Sequence, residues 1–251
     1  MTDDERFRNK LPSLHLFCTD ESLSGPFCDV DFIRAHYRAR LEKDTLPAGA
    51  EYIISNSTTA DMKTLRERIF ALNQNDGRNV VLFNSPYQAS IAPELMLEFA
   101  WERSKSGHER ILIVDCNART PALNRVYQLS RGVGLAEHVI GTHDLHEIIM
   151  RTNLHNVFLI RSGSLKLDPV HTLMSKRLAR LFKRVCSQFD FVLVNTPPYR
   201  DYVDAFVLAK FIHPLVLLVL SSRYSSWSQT RDIRDELAVL DVNVLGVLNN
   251  R

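Results

Sequence analysis

The chain has 251 residues, 45% of them hydrophobic and 24% charged, which is ordinary globular composition and enough for a sizeable core. A formal net charge of +2 excludes a protein that captures nucleic acid by bulk charge alone. The four cysteines, Cys18, Cys28, Cys116 and Cys186, form no CxxC pair, so they read as reduced thiols of a cytoplasmic protein and not as a zinc knuckle or a disulfide framework.

In chain order, the opening "MTDDERFRNK" is polar and reads as no signal peptide. Residues 1–56 form an N-terminal extension with one expected helix, in Asp29 to Lys43, where Phe32, Ile33, Tyr37 and Leu41 share a side. A second helix is expected from Ser57–Thr59, with Met62, Leu65, Ile69 and Leu72 on one stripe. From there to residue 251 the rhythm is strand, helix, strand. Strands are expected at Val80–Ser85, Arg110–Asp115, Val157–Gly163, Phe191–Pro197, Leu215–Ser221 and Val244–Asn250. Helices are expected over 94–106, 122–128, 132–151, 170–187, 201–212 and 226–240. The strands are short continuous apolar runs, the pattern of strands buried on both faces, so the fold predicted is α/β with a doubly wound, mainly parallel sheet. The longest apolar run, "PLVLLVL" (Pro214 to Leu220), is too short to span a bilayer.

In such sheets the site lies in the loops at the carboxyl ends of the strands. The first, "FNSPYQASIAPELMLEFA", runs from a strand through a short turn into a helix, where a phosphate-cradling loop would sit, yet it holds neither glycine nor lysine. The second, "ILIVDCNARTPAL", closes a strand on Asp115, then Asn117, Arg119 and Pro121; the third, "FDFVLVNTPP", closes one on Asn195 and two prolines. With "GLAEHVIG", "RTNLHNVFLIRSGS" and the last strand "VNVLGVLNNR", this set resembles the kinase domain of bacterial polysaccharide tyrosine autokinases, deviant P-loop proteins of the MinD/ParA type. The resemblance covers about residues 58 to 251 and implies a P-loop NTPase-like fold over 57–251.

That family's pattern is Ser-x-x-Pro-Gly-Glu-Gly-Lys-Ser/Thr, then Asp-x-Asp-x-Arg-x-Pro, then Asp-x-Pro-Pro. Aligned to it without gaps, Ser85 keeps the leading serine, Ala89 and Ile91 stand at the glycines, Ala92 at the lysine and Pro93 at the Mg²⁺-binding hydroxyl residue. Asp115 keeps its carboxylate and Arg119 its guanidinium, while Asn117 and Asn195 carry amides where the family has acids. Alanine cannot offset phosphate charge, β-branched Ile91 resists the loop's backbone geometry, and proline brings neither hydroxyl nor N–H. An amide is a poorer ligand than a carboxylate for a hard cation and is no general base. A Glu-x-x-Arg-x-x-Arg stretch, which the resemblance links to ring formation, is reduced to Ala60, Lys63 and Arg66, with Arg68 nearby; Lys63, Arg66 and Arg68 are the candidate interface residues. No tyrosine cluster follows the last strand.

The resemblance therefore implies a non-catalytic, pseudokinase-like accessory of exopolysaccharide or capsule synthesis and export, with no catalytic residue, metal or cofactor. Its implied partner is a Wzz-like membrane polysaccharide co-polymerase or an active kinase paralogue, at the inner face of the cell membrane. One alternative is an ATP- and Mg²⁺-dependent enzyme with altered ligands, Asp115 with Asp201 or Asp204; another is a MinD/ParA-like regulatory adaptor. Two further stretches stand apart. "GTHDLHEIIM" places His143 and His146 three apart beside Asp144 and Glu147, which reads as a helix start capped by Thr142 or Asp144 more than as a metal site with His138 or His155. "SKRLARLFKRV" is a basic amphipathic helix whose apolar stripe is expected to face the sheet.

Overall fold

A computed structural model describes residues 67, 79–85, 92–105, 107–121, 123–124, 129–130, 132–164, 168–212, 215–221 and 243–250. The expected helices in 29–43 and 226–240, the 1–56 extension, and Ala89, Ile91, Lys63, Arg66 and Arg68 lie outside those residues.

Among the described residues seven strands form one sheet: β1 Val80–Asn84, β2 Ile111–Asp115, β3 Ile149–Arg151, β4 Val157–Ile160, β5 Phe191–Asn195, β6 Leu215–Ser221 and β7 Asn243–Asn250. Their spatial order is β3-β4-β2-β5-β1-β6-β7, and every pairing is parallel except the β3–β4 edge. Strands β1, β2, β4 and β5 are buried at every position, as their unbroken apolar runs require of strands covered on both sides.

Alternate residues serve two separate cores. Val81, Phe83, Ile111, Ile113, Phe191 and Leu193 face helix α1 (Ala92–Ser104), which contributes Leu95, Met96, Phe99 and Ala100. Phe99 is buried between Phe83 and Phe191, at centroid distances of 6.2 and 6.1 Å, the second edge-on. Val80, Leu82, Leu112, Val114, Val192 and Val194 face the opposite layer. That layer is built by α2 (Leu135–Ile140), α3 (Leu145–Ile148), α4 (Pro169–Leu173), α5 (Lys176–Cys186) and α6 (Asp204–Ile212).

Two single helices expected from the pattern are broken. Over 132–151, Gly141 takes φ 87° and its N–H donates to the Glu137 and His138 carbonyls, closing α2 as a left-handed C-cap. Asp144 then opens α3, its N–H donating to the Glu147 carboxylate at 2.6 Å, and the chain leaves as the antiparallel edge strand β3. Over 170–187, Ser175 interrupts the run: its hydroxyl accepts the Arg177 N–H at 3.1 Å and starts α5 afresh. In the expected 122–128 helix, residues 123 and 124 are helical and the rest lie outside the described set.

The β4–α2 junction is tied by a buried carboxylate. Glu137 accepts hydrogen bonds from the Gly134 N–H (2.7 Å), the Ser164 N–H (2.9 Å) and the Ser164 hydroxyl (2.7 Å). Burial raises its pKa, but these bonds outweigh burial and hold the carboxyl below its usual range. The tie demands glycine at 163, where φ is 102° and a Cβ would run into the Glu137 carboxylate and Ala136. Gly163→Ala is expected to lower unfolding free energy by about 1–3 kcal/mol in urea titrations; an unchanged midpoint would show that the junction yields without cost.

Candidate functional site

The chain leaves β1 for β2 on one side and returns through β5 to β6 on the other, so β1 and β5 mark the sheet's switch point. Register places Asp115 opposite Asn195 and Phe83 opposite the same Asn195, which brings the carboxyl ends of β2, β5 and β1 to one level. By strand parity, Asp115 and Asn195 continue the rows of Ile111–Ile113 and Phe191–Leu193, the face covered by α1.

Asp115 is fully buried. Its Oδ1 accepts the Asn195 amide at 2.9 Å and the Asn117 N–H at 3.1 Å. Among the described residues its Oδ2 and the Asn195 Oδ1, both buried, have no hydrogen-bond partner. Burial pushes the Asp115 pKa up to about 7, against the smaller lowering effect of the Asn195 and Asn117 bonds. At neutral pH this group is therefore only partly charged.

Asn117 turns inward on its own loop. Its Oδ1 accepts the Thr120 N–H at 2.9 Å, and its Nδ2 donates to the Thr120 hydroxyl at 3.1 Å. Arg119 reaches across to α6, where Nε and Nη2 each hold one oxygen of the fully buried Asp204 at 3.1 Å. Its guanidinium also lies 4.2 Å from the Tyr202 ring centroid. The Asp204 hydrogen bond chiefly raises the Arg119 pKa, so this cation is permanent. Asp204 has both oxygens bonded to Arg119, and Asp201 is exposed.

Just past β1, the Ser85 carbonyl accepts the Tyr199 N–H at 3.0 Å, and at the end of β1 the Asn84 amide donates to the Thr196 hydroxyl and the Pro197 carbonyl, each at 2.8 Å. These bonds stitch the strand that precedes the turn to the "NTPP" loop. Ala92 and Pro93 form the first turn of α1 and are both buried; proline is tolerated there because a first-turn N–H has no partner within the helix.

Mg²⁺ and a triphosphate, which a P-loop fold implies, make definite demands of such a site. Two orphaned oxygens, on Asp115 and Asn195, could face a cation. The Ala92 methyl supplies no charge against phosphate, and Pro93 supplies no hydroxyl and no N–H. The donor set among the described residues does not fit a Mg²⁺-triphosphate, and no chemical step is derived through one. Among the described residues no group of three or more His, Cys, Asp or Glu could hold a metal ion. Around His138 and His143 the ring Nδ1 of the first lies 2.9 Å from the carbonyl of the second.

Sequence reading brought Asp115, Asn117, Arg119, Asn195 and Ser85 to one end of the sheet, and the coordinates place them there. It missed Asn84 and Thr196, whose bond ties two loops, and the Glu137 junction. The only available hint of the latter was the glycine-rich "GVGLAEHVIG" with a lone acid.

No family model matches the chain. The tyrosine-protein kinase CpsD of Streptococcus pneumoniae is 26% identical over 159 residues, 62% of this chain and 68% of that protein. The tyrosine-protein kinase Wzc of Salmonella typhi is 25% identical over 193 residues, 75% of this chain but 26% of Wzc. The chain thus spans about a quarter of the longer relatives it matches. Among solved structures, the kinase domain of the Escherichia coli tyrosine kinase ETK superposes with a TM-score of 0.69 at 20% identity, covering 84% of this chain and 83% of that one. The Pyrococcus furiosus cell division ATPase MinD gives a TM-score of 0.57 at 19% identity, covering 67% and 70%. The homologues are bacterial tyrosine-protein kinases, and the fold is theirs and that of the MinD and ParA ATPases.

The raised Asp115 pKa has a consequence for stability. The folded chain holds this proton more tightly than the unfolded chain, whose aspartates titrate near 3.9. The contribution to folding is full below about pH 4 and is lost as pH rises through about 7. Asp115→Asn should therefore gain stability relative to the parent chain between pH 5 and pH 8, with a slope of up to about 1.4 kcal/mol per pH unit. Urea midpoints of both proteins at the two pH values measure it, and parallel curves would contradict the assignment.

Proposed function

From its homology to bacterial tyrosine-protein kinases, we propose that this chain is a non-catalytic accessory of exopolysaccharide or capsular polysaccharide synthesis and export that acts by protein contact. The observation that carries this reading is the first turn of α1. Buried Ala92 and Pro93 stand where the kinases' pattern has its lysine and hydroxyl. A triphosphate there would meet an uncharged wall at Ala92 and a residue without an N–H at Pro93.

The polysaccharide assignment draws on the kinship with CapB, CpsD, EpsB and Wzc. The partner class is a Wzz-like membrane co-polymerase or an active kinase paralogue. Among the described residues no helix is long and apolar enough to cross a membrane, and the proposed working place is the cytoplasmic face of one, reached through such a partner.

The Arg119–Asp204 pair and the Asn84–Thr196 stitch support a body that keeps its shape with no nucleotide bound. Calorimetric titration of ATP with Mg²⁺ at about 0.1 mM protein, chosen so that a millimolar site still gives heat, should show no binding and no tyrosine phosphorylation. The combined variant Ala89→Gly, Ile91→Gly, Ala92→Lys, Pro93→Thr should gain nucleotide affinity. Mg²⁺-dependent ATP binding by the parent chain, abolished by Asp115→Ala, would instead establish the enzyme reading with altered ligands.

A further inference from the structure

The helical layer formed by α2, α4, α5 and α6 carries two features that neither the kinase likeness nor the proposed accessory function uses. Helix α5 buries Leu178, Leu181, Phe182 and Val185 against the sheet. Its outer side exposes Lys176, Arg177, Arg180, Lys183 and Arg184, and its eleven residues include no acid. Five positive charges therefore share one helix face, in a chain whose net charge is only +2.

The second feature is apolar. The described residues contain four exposed large hydrophobic side chains, each 45–56% exposed, and all four belong to this layer. Ile140 ends α2, Met174 lies between α4 and α5, Val203 precedes α6 and Phe211 is on α6. Arg177 draws one of them close: its Nη1 donates to the His138 carbonyl at 3.3 Å, which holds the last turn of α2, and so Ile140, beside the basic helix. The α1 layer on the other side of the sheet exposes no large apolar side chain among its described residues.

We propose that this layer docks directly on an anionic lipid bilayer. Basic side chains are drawn to the negative leaflet, their long alkyl stems lying along the interface, while isolated exposed apolar side chains enter the headgroup region. A positive helix alone would suit an acidic protein equally well. The exposed apolar side chains on the same layer add what a bilayer interface takes and an acidic protein surface does not require, side chains that enter the headgroup region one by one. The contact is independent of nucleotide and of any co-polymerase, so its test does not depend on the function proposed above.

The test is co-sedimentation of the full chain with vesicles of phosphatidylcholine alone and of phosphatidylcholine with phosphatidylglycerol. Binding is expected to the second only, weakening as sodium chloride shortens the reach of the charges. Arg180→Gln with Lys183→Gln, both exposed and away from the core, should lower partitioning about 30-fold, roughly fivefold for each charge. Met174→Ser with Phe211→Ser should lower it further without changing its salt dependence. Circular dichroism and thermal melts confirm that each variant is folded. Equal binding to both vesicles, binding unchanged in the Arg180/Lys183 variant, or binding to neither vesicle each overturns the proposal. In the last case, capture of polyglutamate would assign the face to an acidic protein.

Discussion

A carboxylate taken out of water must be answered by a cation, by hydrogen bonds or by a proton. Among the described residues, three of the buried acids, Asp115, Glu137 and Asp204, are each answered differently. Asp204 has a cation, the two-pronged guanidinium of Arg119. Glu137 has hydrogen bonds, two from backbone N–H groups and one from Ser164. Asp115 has an amide and an N–H on one oxygen and nothing on the other, so burial moves it toward holding a proton. The first two solutions join elements distant in the chain, β2 to α6 and α2 to β4. The third leaves a polar residue of a site at the sheet's switch point.

These ties explain how the carboxyl end of the sheet is held without relying on a ligand. Asn117 closes its own loop on Thr120, Arg119 anchors that loop to α6, and Asn84 fastens the end of β1 to the loop after β5. The two cores on either side of the sheet are separate sets of side chains, so changes at the α1 end need not disturb the opposite layer. That independence would let the layer of α5 carry the proposed contact without disturbing the end of the sheet where α1 begins.

Much of the fold was legible because strands buried on both faces leave an unmistakable trace. Runs such as "VVLFN", "ILIVD" and "FVLVN" can hardly be anything else, and the polar residue ending each run marks the carboxyl edge. Asp115 and Asn195 were placed by that logic. Helix boundaries were less legible, because a continuous apolar rhythm across 132–151 and 170–187 hides short caps. Gly141, Asp144 and Ser175 decide them through single hydrogen bonds that periodicity does not register.

The amino-acid order by itself determined the α/β alternation, the loops that would converge, and the chemistry missing from them, since side-chain identity alone says that Ala92 has no charge and Pro93 no N–H. Only the tertiary structure decided which carboxylates meet which partners: that Asp204 is Arg119's counter-ion, that Glu137 is a fastening, and that Asp115 stands half answered. Those outcomes depend on burial and on distances across the sheet. Both are set by contacts between residues up to 113 positions apart, such as Asn84 and Pro197, and no local pattern encodes them.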